Sequence, residues 1–105
     1  MSNRNQPSKA KAGGVGFRSE RGPILIAMGR NALEVREFAQ ASTAFDRYVK
    51  DFPSGPDMPQ AMLGLGRALI FQNKRDQAKR TLQALTAKVK SGPIYNEATT
   101  LLAGL

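Results

Sequence analysis

Sliding this sequence against itself by 37 residues brings it into register at position after position, and few features restrict a fold more tightly than an internal period of that kind. Gly29-Arg30 falls on Gly66-Arg67, Gln40-Ala41 on Gln77-Ala78, and Ser54-Gly55-Pro56 on Ser91-Gly92-Pro93. Ala61 and Leu65 fall on Ala98 and Leu102. Conservative matches pair Met28 with Leu65, Phe45 with Leu82 and Tyr48 with Leu85. Units of this size cannot bury an apolar face alone, so they stack on one another to share a core.

Each unit reads as two helices and a turn. Ile24, Leu25, Met28, Ala32 and Val35 keep the spacing of one helix face, and Phe38, Ala41, Phe45, Tyr48 and Phe52 keep it again before Pro53. The breaker-rich residues 54–59 make a turn. Asp57 is positioned there as an N-cap, and Pro59 falls in the first helical turn, where its missing N–H costs nothing. A third run uses Ala61, Met62, Leu65, Leu69 and Ile70, and a fourth uses Ala78, Leu82, Leu85 and Val89. A fifth carries Ala98, Leu101, Leu102 and Leu105. No segment alternates with period two, so the expectation is an all-α protein of five helices, two complete units and half of a third.

The intervals resemble the tetratricopeptide signature: a large apolar residue, Leu-Gly, an aromatic, Ala, a bulky residue and a closing Pro. The first copy supplies Leu25, Met28-Gly29, Ala32, Ala41, Phe45 and Pro53. The second supplies Met62, Leu65-Gly66, Leu69, Ala78 and Leu82, with Lys90 in place of the proline. Gly29 and Gly66 each cost roughly 1 kcal/mol against alanine inside a helix, which suits a close approach of two helices. Ala41 and Ala78 are the small residues expected opposite, and Phe45 and Leu82 would fill the space between hairpins. The resemblance implies a stack of antiparallel helical hairpins over residues 23–105 that binds a protein or peptide in a concave groove. The phrase Tyr48-Val49-Lys50-Asp51-Phe52-Pro53 and the long turn look most like the cell-division coordinator of the Tol-Pal envelope system.

Composition removes other classes. There is no cysteine and no histidine, so thiol chemistry, the usual neutral-pH base and the commonest metal ligands are missing. No catalytic residue, metal or cofactor is expected, and the chain is not read as an enzyme. No membrane span is expected. The net charge of +8 is unevenly spread: residues 1–22 hold five basic groups against one acidic, and the other 83 residues hold eleven against seven. Residues 1–22, polar and glycine-rich, are expected to form a disordered basic tail. No export signal is visible, which favours the cytoplasm, whereas the Tol-Pal resemblance implies the periplasm.

Projected from the core positions, the groove should display Ile26, Arg30, Leu33 and Glu34 from the first copy. From the second it should display Gln60, Leu63, Arg67, Ile70 and Phe71. Arg30 and Arg67 are repeat equivalents, so their guanidinium forks would stack and hold a carboxylate. The apolar end of the last helix, Leu101 to Leu105, suggests self-association. The rival expectation is nucleic-acid or acidic-surface binding through the tail and Lys74, Arg75, Lys79, Arg80, Lys88 and Lys90.

Overall fold

The computed structural model describes residues 14–105, with side chains described from Glu20 onward. Five helices follow in order: α1 (Gly14–Glu34), α2 (Phe38–Asp51), α3 (Met58–Phe71), α4 (Arg75–Lys88) and α5 (Pro93–Ala103). Among the described residues there is no strand. α1 packs on α2 and α3, α3 packs on α2, α4 and α5, and α4 packs on α5. The fold is an all-α, tetratricopeptide-like stack of helical hairpins.

The period is visible in the backbone. Arg36 and Asn73, 37 residues apart, both take φ 63°. At the first turn the Glu37 N–H donates to the Ala32 carbonyl (2.8 Å) and the Arg36 N–H to Leu33 (3.1 Å). At the second, Lys74 donates to Leu69 (2.9 Å) and Asn73 to Ile70 (2.9 Å). Both are Schellman closures, which satisfy the orphan carbonyls at a helix C-terminus by a residue in the left-handed region.

Side chains repeat as well. Phe45, Tyr48, Leu82 and Leu85 are the largest fully buried groups, and Ala41, Ala61, Ala78 and Ala98 are wholly buried beside them. Phe45 is a wedge between hairpins: a Cβ added at Gly29 of α1 or at Gly64 of α3 would lie 2.5 Å from its ring. Gly66 makes the same room for Leu82, at 2.6 Å. Ala41 and Ala78 are the small residues expected opposite these glycines; the side chains that meet Gly29 and Gly66 are instead Phe45 and Leu82. A further tie comes from Gln72, whose amide nitrogen lies 3.2 Å from the Phe38 carbonyl and 3.0 Å from the Ser42 hydroxyl on the preceding hairpin.

Three further expectations need correction. The boundary placed after residue 22 falls inside α1, which continues through Pro23. The last residues on the tail side of that boundary meet α2 and its end: Gly22 is buried against Tyr48 and Phe52, and the exposed Arg21 pairs with Asp51 at 2.5 Å. Residues 1–13, the greater part of the expected tail, lie outside the described residues. Next, of the apolar face expected on α1, Ala32 is buried and Leu25 half-buried, but Ile24, Met28 and Val35 are exposed, and Gly22, Ile26 and Gly29 face the core in their place. Last, Asp57 flanks α3 but makes no side-chain capping bond. Its own backbone N–H donates to the buried Tyr48 hydroxyl, at 3.0 Å.

Candidate functional site

α1 and α3 are equivalent helices of successive repeats, and their equivalent residues meet along one cleft. Ile26, Arg30 and Leu33 of α1 and Gln60, Leu63, Gly64 and Arg67 of α3 line it, with Phe45 as its floor. Its volume of about 280 Å³ suits a side chain or two of a longer ligand rather than a whole drug-sized molecule. The walls follow the 37-residue register: Ile26 faces the role of Leu63, and Arg30 that of Arg67. Ile26 is anchored in the core and presents little surface, whereas Leu33 and Leu63 are half-buried. The cleft therefore offers an apolar strip bordered by guanidinium groups.

The two arginines differ. Arg67 forms an ion pair with Glu97 of α5, an exposed pair that fixes the guanidinium across the α3–α5 seam. Arg30 has no ion-pair partner among the described residues. The cause is legible in the repeat. Glu97 is the equivalent of Gln60, so the pair Arg67–Glu97 corresponds to Arg30 and Gln60, and only the second copy carries the carboxylate. The expected pair of free forks is one free fork and one neutralised one.

Ile70, Phe71 and Glu34 do not line this cleft. Ile70 packs half-buried against the core. Phe71 stacks on Phe38 with ring centroids 4.4 Å apart and 11° between planes, while the Arg36 guanidinium lies 5.3 Å from the Phe38 centroid and 5.8 Å from that of Phe71. This cluster joins the turn of one hairpin to the end of the next hairpin's first helix. Sequence reasoning found Phe71 but neither of its partners, because a 33-residue separation carries no local signal.

Among the described residues no group of three His, Asp or Glu side chains is placed to hold a metal, and no helix is long and apolar enough to cross a membrane. Residues 26–75 match the tetratricopeptide repeat family model, a span running from Ile26 within α1 to the first residue of α4. That match, together with the stack, supports a tetratricopeptide repeat protein, a class of scaffold that generally mediates protein–protein interaction and is typically non-catalytic. The match is to the repeat as such, and nothing in it singles out the Tol-Pal coordinator. The sequence matches none of the curated proteins.

Proposed function

We propose that this protein is an interaction module that holds an extended segment of a partner in the α1–α3 cleft. An apolar side chain of that segment lies on Leu33 and Leu63, and a neighbouring carboxylate engages Arg30. The observation that carries this reading is the unequal treatment of the two equivalent arginines: Glu97 neutralises Arg67, and Gln60 leaves Arg30 with its charge. A planar guanidinium with donors to spare is suited to bidentate binding of a carboxylate. The net charge of +8 adds long-range attraction for acidic segments.

The test is selection from a random peptide library against the full chain, followed by titration of the selected peptides into the Arg30→Ala variant. Selected peptides should pair an acidic residue with an apolar one, and the substitution should weaken them at least about tenfold, or 1.4 kcal/mol. Peptides without acidic residues, or binding indifferent to Arg30→Ala, would overturn the reading. A second reading rests on Lys74, Arg75, Lys79, Arg80, Lys88 and Lys90, all six exposed and none with an ion-pair partner among the described residues. It calls for nucleic-acid or acidic-surface binding whose affinity collapses as salt rises, while a cleft anchored on Leu33 and Leu63 changes far less.

A further inference from the structure

The 37-residue period relates α4 to α2 residue by residue. Between these two helices runs a groove of about 450 Å³ whose floor is Leu65 and Leu69 of α3, both buried in the core. Lys74, at the start of α4, and Gln77, Arg80 and Thr81 within it form one wall. Their spacing of three and four residues puts them on one helix face. In the first copy the equivalents are Glu37, Gln40, Thr43 and Ala44. Three of these four positions differ: lysine stands for glutamate, arginine for threonine and threonine for alanine. The strip therefore gains two units of positive charge at Lys74 and one at Arg80. Both sets sit on the same scaffold, so stacking alone does not require the basic one.

The opposite wall, from α2, is largely satisfied within itself. Asp46 is the one carboxylate among the lining residues, and Lys50 pairs with it at 2.9 Å. The hydroxyls of Ser42 and Thr43 both donate to the Ala39 carbonyl, at 2.9 and 3.0 Å. The α4 wall is not satisfied. Among the described residues Lys74 and Arg80 have no ion-pair partner, and the Gln77 amide and Thr81 hydroxyl make no side-chain hydrogen bond.

We infer that this groove is a binding site for a phosphate group, free or carried as a monoester on a small polar molecule. Its oxygens lie between Lys74 and Arg80 and also accept from Gln77 and Thr81. Lys74 and Arg80 are about 9 Å apart along the helix axis, within reach of two long side chains converging on one group, and Gln77 lies midway. A phosphate brings nearly two negative charges and three strong acceptor oxygens, which two cations and two neutral donors match. The floor leaves little apolar surface open and the walls are polar, so whatever carries the phosphate is polar too. A volume of about 450 Å³ suits a molecule the size of a phosphorylated sugar.

The test is titration of ribose 5-phosphate into the full chain at constant ionic strength, followed by NMR of the backbone amides and of the Gln77 and Arg80 side chains. Saturable shifts are expected at Lys74, Gln77, Arg80 and Thr81, and ribose should cause none. Lys74→Glu and Arg80→Thr install the first copy's residues at exposed positions, so the circular dichroism spectrum should be kept. Each should weaken binding at least about tenfold. Arg75→Ala and Lys79→Ala remove charges that do not line the groove and should leave the affinity unchanged. Inorganic phosphate should shift the same residues. Weaker binding than the ester assigns the site to a carried phosphate, and equal binding assigns it to the free ion. Absence of saturable shifts, or shifts spread evenly over Arg75, Lys79 and Lys88, would overturn the inference. Equal losses from Lys79→Ala and Arg80→Thr would overturn it as well, by making the anion a guest of the whole basic face. Arg30→Ala leaves this binding unchanged, so its outcome is separable from that of the cleft on α1 and α3.

Discussion

The wedge of Phe45 between Gly29 and Gly64 makes a quantitative prediction about how the repeats fit. Gly64→Ala gains about 1 kcal/mol of helix propensity. It also places a methyl 2.5 Å from a ring that is 1% exposed and has Gly29 on its other side. Overpacking of that kind costs about 1–3 kcal/mol, so the single variant should lie between neutral and about 2 kcal/mol destabilised. Phe45→Leu vacates ring volume at the same place and should cost about 1–2 kcal/mol. In the double variant the new methyl occupies the vacated space, and the propensity gain remains. The pair should then be at least about 1 kcal/mol more stable than the two singles predict by addition. The chain already contains the alternative solution: the equivalents of Phe45 and Gly64 are Leu82 and Leu101, a smaller wedge with a larger neighbour, both in the same core. Urea unfolding followed by far-UV circular dichroism measures the cycle. Additivity within about 0.5 kcal/mol would refute the shared-volume argument.

Tyr48→Phe keeps the ring and removes the acceptor of the Asp57 N–H, so it should cost about 1–2 kcal/mol in urea unfolding and hasten hydrogen exchange at Asp57. Asn73 sits at φ 63°; Asn73→Val should destabilise by about 1–2 kcal/mol, while Asn73→Gly should be neutral or better, as read from thermal midpoints. Glu97→Gln breaks an exposed pair and should change stability by less than about 1 kcal/mol, yet it frees the Arg67 guanidinium, so acidic peptides should bind the variant more tightly in a titration.

The repeat and the later four helices were legible because their signals are local or periodic: apolar spacing, the Ser-Gly-Pro turns, and the recurring Gly-Arg and Gln-Ala pairs. The hidden features are those that depend on a neighbour. Whether Met28 is core or surface depends on whether another hairpin lies beside α1, which periodicity alone does not say. The helix continues through Pro23 because Arg21 and Gly22 find Asp51, Tyr48 and Phe52 some 30 residues on. A cap was expected at Asp57 from residue type alone, but its side chain makes no capping bond, while its own backbone N–H donates to the Tyr48 hydroxyl of the preceding helix. At the cleft, shifting Arg30 and Gln60 by one period yields Arg67 and Glu97, so the neutralised arginine could have been found by applying the repeat to the site as well as to the core.

That same substitution gives the most direct test of the cleft reading. Gln60→Glu should place beside Arg30 the carboxylate that Arg67 already has in Glu97. Titrated with a peptide selected against the wild type, the Gln60→Glu protein should keep its fold and bind at least about tenfold more weakly, matching Arg30→Ala. Wild-type affinity in the Gln60→Glu protein would contradict the account, because Arg30 would then not be the group that grips the partner.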